Sequence, residues 1–323
     1  MPSAPLALPA SQAIVPAASL TEAARGYLVA ARSERTRREY ARDWQTFTSW
    51  CAARSHPSLP TTPEALCLYL TFRAQSGRKV ATIERDLVAI SQAHLAASLP
   101  SPRHPLVLEV LKGIRNTHGV APSQKAALLP PQLARCCAAL PETPGGIRDR
   151  ALLLFAWSGA FRRSEVVFLN VEDLVFTDAG VEVLLRKSKT DQQAKGQRRG
   201  IPFGALPATC PVRALQRWLT TAAITTGPLF RAVNRHDQVA AERLHPCTVA
   251  RIVQRAAQLG GIDPSSVAGH SLRAGLITAA VRSGKSLPSI MAHTGQRSVA
   301  TIQRYVRSAG DVFTDNAASN LGL

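Results

Sequence analysis

The chain is 323 residues long, which at roughly 100–200 residues per domain predicts two domains rather than one. A hydrophobic content of 46% can fill a core in each, which excludes disorder throughout. Thirty-nine basic residues against 21 acidic ones give a formal charge of +18, a balance that suits a polyanion and puts nucleic acid first among partners.

Residues 1–18 carry proline every few positions and no charge, so they read as a disordered lead-in. Folding is expected from Ser19-Leu-Thr-Glu22, which has the pattern of a capping box. A second helix carries Tyr40, Trp44, Phe47 and Cys51 on one face by their +4, +3, +4 spacing, with Arg35, Arg37, Arg38 and Arg42 on the other. Thr62-Pro63 is an N-cap followed by proline at the first helical position, opening a third helix. Ile83, Leu87, Ile90 and His94 mark a fourth, and residues 107–114 a fifth. Residues 19–118 therefore predict a helical domain, and residues 119–126, small and polar, a linker.

The second domain, residues 127–323 with a C-terminal tail, predicts helices near 131–140, 147–157, 211–223, 246–259 and 271–282. Residues 181–186 and 199–203 read as two strands joined by a polar loop. The fold class is mainly α with a small antiparallel β-sheet (α+β). No apolar run approaches the ~20 residues that span a bilayer, and no charged n-region precedes the Ala/Pro stretch, so a cytoplasmic protein without membrane contact is expected. Six scattered cysteines lack C-x-x-C spacing, which argues against structural zinc and a disulfide framework. Gly284-Lys285-Ser286 resembles the end of a P-loop, but the glycine required upstream is Ala279. No dinucleotide, zinc-protease or nucleophile-elbow signature occurs, and neither metal nor cofactor is expected.

Four short segments carry chemistry. Ser158-Gly-Ala-Phe-Arg162-Arg-Ser-Glu165 puts an arginine where an apolar helix ends, with a carboxylate in reach. Lys187-Ser-Lys189-Thr190 sits at the tip of the expected hairpin, where an ammonium can enter a groove. His270 and Arg273, an i, i+3 pair, can both donate to one phosphate. Tyr305, flanked by Arg304 and Arg307, is the one tyrosine of the second domain. Taken singly, these segments also fit a surface salt bridge, a solvated loop, a structural pair and a packing residue.

In the order Arg, Lys, His-x-x-Arg, Tyr, the combination resembles the tyrosine recombinase (phage integrase) family over about residues 19–310. The stretches that carry the resemblance are GAFRRSE, KSKTD, GHSLRAG and SVATIQRYVR, with residues 33–44 similar to the family's core-binding helix. One position departs: the family places histidine or tryptophan nine residues before the tyrosine, and this chain has Gln296, while His293 lies twelve before it. A glutamine amide can still donate to a phosphoryl oxygen.

The resemblance implies a site-specific recombinase that cuts and rejoins DNA through a 3′-phosphotyrosyl intermediate without metal or ATP. Tyr305 would attack, Arg162 and Arg273 would clamp the phosphate, His270 would assist, and Lys189 would protonate the leaving oxygen, with Lys187 the competing assignment. Glu165 would buttress Arg162. Arg35, Arg37, Arg38, Arg42, Arg78 and Lys79 are candidate phosphate contacts in the first domain. The implied partners are double-stranded DNA, further copies of the chain in a tetrameric synapse, and an accessory directionality factor. The alternatives are a type IB topoisomerase-like activity and a catalytically impaired DNA-binding protein.

Overall fold

The computed structural model describes residues 21–119, 125–186 and 196–309, and the chain divides into two compact units, Met1–Ser123 and Gln124–Leu323. The expected lead-in at 1–18, the lysine loop, most of the linker and the tail beyond residue 309 lie outside the described residues.

The first unit contains five helices, α1 (Glu22–Ala30), α2 (Glu34–Ala52), α3 (Pro63–Gln75), α4 (Val80–Ala96) and α5 (Pro105–His118). Side-chain caps set four of their starts, the fourth being His104, which accepts from the Leu106 amide ahead of α5. Thr21 accepts from the Ala24 amide, Ser33 from Thr36 and Thr62 from Ala65. Thr21, not Ser19, thus caps α1.

On α2 the buried residues are Asp43, Phe47, Trp50 and Cys51, while Tyr40 and Trp44 are only half-buried. The inward face is turned from the expected one for two reasons. Asp43 is drawn in by Arg85 of α4, 2.6 Å away, and Trp50 stacks edge-on against Tyr69 of α3. Leu66, Leu70, Ile83, Leu87, Ile90, Val107 and Leu111 complete the core. A second ion pair, Arg73 to Asp86 at 2.7 Å, lies inside it.

The second unit contains α6 (Pro130–Ala138), α7 (Pro144–Ser158), α8 (Arg163–Phe168), α9 (Pro211–Thr221), α10 (Pro246–Leu259), α11 (Ser271–Arg282), α12 (Leu287–Thr294) and α13 (Val299–Ala309). Its sheets are larger than expected. β1 (Leu174–Thr177) joins β2 (Gly180–Leu185) and β3 (Gln197–Pro202) in a three-stranded antiparallel sheet, and β4 (Arg231–Val233) pairs with β5 (Val239–Arg243) in a separate hairpin.

The register of β2 against β3 decides one functional placement. Val181 lies opposite Ile201 and Val183 opposite Arg199, so Arg199 points to the same inner face as Val181, Val183 and Leu185. Segment 126–128 pairs with the region before α11: the Ala126 amide donates to Ser266 O (2.7 Å) and Leu128 to Ser271 O (3.0 Å). α11, α12 and α13 share a small apolar cluster of Ile277, Ile290 and Ile302, against which the Tyr305 ring packs. Among the described residues no helix is long and apolar enough to cross a membrane.

Candidate active site

α7 carries the buried apolar run 151–156 in its second half and gives way to Gly159-Ala160, where Ala160 adopts φ +47°, an uncommon conformation for a residue with a side chain. That turn aims the Ala160 carbonyl at α11 and releases Arg162 as the N-cap of α8. Glu165, one turn on and buried, accepts from the Arg162 backbone N–H at 2.9 Å and from the Arg162 guanidinium. The Arg162 side chain keeps 21% exposure, so it is anchored from behind with one edge open.

His270 is the N-cap of α11 rather than a member of its first turn, and Arg273 follows on the inward side. The Nε2 of His270 and the hydroxyl of Tyr305 on α13 are hydrogen-bonded at 2.7 Å. Arg273 is only 1% exposed; one terminal nitrogen donates to Ala160 O and the other to Thr294 O at 2.7 Å. Those bonds leave further N–H groups of its five unassigned. Burial pushes the Arg273 guanidinium down to about 10, with the Arg162 charge adding to the effect, so it stays cationic at neutral pH. Withdrawal from water, then the charges of Arg273, Arg162 and Arg163, hold His270 below the ordinary histidine value. A histidine so placed is largely neutral near pH 7 and can accept a proton.

Arg199, passed over in the sequence, and His293, set aside there on its register, complete the pocket wall. Arg199, 2% exposed, donates to Gly159 O (2.8 Å) and Thr294 O (3.0 Å), lies 3.6 Å from a Glu165 oxygen, and stacks over the Phe161 ring. Burial pushes it, too, down to about 10. Its signal in the sequence was position alone, two residues before Ile201 in the alternation of a strand. His293 donates from Nε2 to Ser158 O at 2.8 Å and so fastens α12 to the end of α7.

Gln296 is half-buried beside this wall; its Oε1 accepts weakly from the Thr294 hydroxyl at 3.5 Å, and its amide nitrogen has no partner among the described residues. Lys187 and Lys189 lie outside the described residues. The strand that follows them is tied to α12, because Gln197 donates to Ala292 O at 2.9 Å. The structure thus brings Arg162, Glu165, His270, Arg273 and Tyr305 together from three separate stretches of chain, with Gln296 beside them.

The first-unit candidates divide in two. Arg35 pairs with Glu39 at 2.9 Å and Arg38 with Glu34, each one turn away on α2. Arg37, Arg42, Arg78 and Lys79 are exposed, and their side chains make no hydrogen bond or ion pair among the described residues, although the charge of Arg42 reaches Glu39. No group of three or more His, Cys, Asp or Glu suited to a metal ion occurs among the described residues.

Residues 127–311 match the phage integrase family. An integrase/recombinase XerD homolog of Selenomonas ruminantium is 35% identical over 90% of this chain and 86% of its own length. The recombinase Cre of Escherichia phage P1 is 23% identical over 82% of this chain and 81% of its own. The fold is shared with a lambda integrase, solved as a tetramer bound to a Holliday junction, at a TM-score of 0.58 and 15% identity over 90% of this chain and 77% of that one. The chain belongs to the phage integrase family and is a site-specific tyrosine recombinase.

Proposed function

We propose that Tyr305 is the nucleophile of the strand-exchange reaction, and the 2.7 Å contact between its hydroxyl and His270 carries the assignment. A phenol of pKa ~10 is a weak nucleophile at neutral pH, so the proton must be drawn off as the oxygen attacks. His270 accepts it at Nε2. The new bond joins the Tyr305 oxygen to the 3′ phosphate, and the bond to the 5′ oxygen breaks. Lys189, with Lys187 as the competing position, supplies the proton that makes the leaving group a 5′-hydroxyl. The phosphotyrosyl linkage conserves the diester, so a second 5′-hydroxyl reverses the step on another strand without ATP.

Arg162 and Arg273 stabilise the charge that develops on the non-bridging oxygens, a role matched to the planar guanidinium fork and one for which a metal ion is the alternative in other enzymes. Glu165 positions Arg162. Gln296 donates its amide N–H to the same phosphate. Tyr305 lies close enough to Arg273 for a phenolate there to favour the guanidinium charge.

Arg37, Arg42, Arg78 and Lys79, uncommitted to other residues, bind backbone phosphates, with Arg35 and Arg38 joining them at the expense of their one-turn ion pairs. Residues 19–118 serve as the core-binding domain and residues 127–323 as the catalytic domain. Two duplexes exchanging strands require four such sites, and the lambda integrase relative is a tetramer on a Holliday junction. A tetrameric synapse, its outcome biased by an accessory directionality factor, is therefore the working assembly. Such a reaction takes place where the DNA is, in the cytoplasm with the nucleoid.

The test is a nicked suicide substrate carrying the recombination site, followed by denaturing electrophoresis. A covalent protein–DNA adduct is expected from the natural chain and none from Tyr305→Phe. An adduct that persists in that variant, or one undiminished in Arg162→Ala or Arg273→Ala, overturns the assignment.

A further inference from the structure

Arg163 follows Arg162 and opens α8, yet its side chain turns toward α11. Its stem crosses the backbone at Gly269, directly before His270: a Cβ on Gly269 would lie 2.3 Å from Arg163 Cδ and 2.6 Å from Cγ. Glycine there is what allows this route. The residue is exposed, and its guanidinium has no hydrogen-bond or ion-pair partner among the described residues. It is nonetheless near enough to His270 for its charge to act on that ring, alongside Arg273 and Arg162.

The local charge balance is one-sided. Arg162 and Arg199 share the carboxylate of Glu165, and Arg273 is satisfied by carbonyl oxygens, which carry no net charge. A single scissile phosphodiester brings one negative charge, too little to compensate Arg273 and Arg163 together. A cation steered to the rim of such a pocket and left without an acid fits a further anion of the same polymer.

We propose that Arg163 binds a DNA backbone phosphate flanking the scissile one. This rests on the recombinase reading and extends the phosphate contacts beyond the arginines assigned to the reacting centre. Because phosphate contacts carry no sequence information, any duplex supplies the ligand.

The experiment compares the natural chain with Arg163→Met, which keeps the stem over Gly269 and loses the charge, and Arg163→Lys, which keeps the charge. Fluorescence anisotropy with a labelled duplex of arbitrary sequence is read at several salt concentrations. Each phosphate contact contributes about 0.9 to the slope of log affinity on log salt. The Met variant is expected to show a slope shallower by that amount, so that the natural chain's advantage shrinks about 3.5-fold between roughly 50 and 200 mM salt. The Lys variant is expected to restore the slope. A Met variant with the natural slope, or a Lys variant with the Met slope, overturns the proposal. Failure of the natural chain to bind the duplex would instead count against the recombinase reading.

Discussion

Gly275 on α11 offers the sharpest test of how the site is held. A Cβ there would lie 1.9 Å from the Leu128 carbonyl oxygen and 2.6 Å from Trp157 Nε1, the two atoms of a 2.8 Å hydrogen bond. Because the first obstacle is backbone, it cannot rotate away. Reaching an ordinary contact of about 3.4 Å requires α11 and segment 126–128 to separate by about 1.5 Å, and Arg273, two residues earlier on α11, moves with the helix. Overpacking of this kind costs about 1–3 kcal/mol, and a displacement of about 1 Å at a reacting centre can cost ~100-fold in rate.

Gly275→Ala is therefore expected to lower the melting temperature of the second unit by roughly 2–4 °C for each kcal/mol lost and to slow single-turnover adduct formation by ~100-fold. Gly113→Ala on the exposed face of α5 is the control. A Cβ there meets nothing, and removing a mid-helix glycine should stabilise by about 0.5–1 kcal/mol. If Gly275→Ala forms adduct at the natural rate and melts like the parent, the close approach of α11 to Leu128 does not position the site.

Other expectations follow from the same wall of the pocket. Glu165→Ala leaves Arg162 and Arg199 without their acid, a loss of about 3–5 kcal/mol for a broken buried pair, whereas Glu165→Gln keeps the acceptor for the Arg162 amide and should lose less; urea unfolding that ranks the two variants equally would contradict this. Burial lowers the pKa of His293, and that of His270 shifts the same way. As pH falls below about 6.5 the unfolded chain therefore takes up protons that the folded chain does not, and stability drops. His293→Gln, which can still donate to Ser158 O, should flatten that decline in unfolding titrations between about pH 7 and 5. Gln296→His should leave adduct formation unchanged or raise it; a large loss would mean that Gln296 does not face the phosphate.

The helices of the first unit were legible because their apolar residues repeat at helical spacing and their caps are ordinary Thr-Pro and Ser-x-x patterns. The rotation of α2 toward Asp43 was not, since it depends on Arg85, which is distant in sequence. β1 went unseen for a related reason: three of its four residues are exposed, so no alternation marks it, and only pairing with β2 makes it a strand. β4 and β5 likewise lack a buried row and are defined by each other. α8 spans six residues, too few to show a period.

In the site, residues that carry distinctive chemistry were identifiable from type and order. Arg199 was not, because a polar residue in a strand next to a polar loop reads as solvated. What buries it is three carbonyl and side-chain oxygens gathered from α7, α12 and β3, a coincidence of tertiary structure. His293 was set aside on register, and the structure gives it a different task, at the junction of α12 with α7.

The guanidiniums of Arg199 and Arg273 converge on the same acceptor, Thr294 O. That oxygen belongs to the main chain, and no single codon change can remove it. Divergence can exchange the two donors or re-angle the turn that presents the carbonyl, but the keystone itself is outside the reach of point mutation. Random mutagenesis of residue 294 would consequently report on its hydroxyl and volume while leaving unseen the atom on which strand and helix meet.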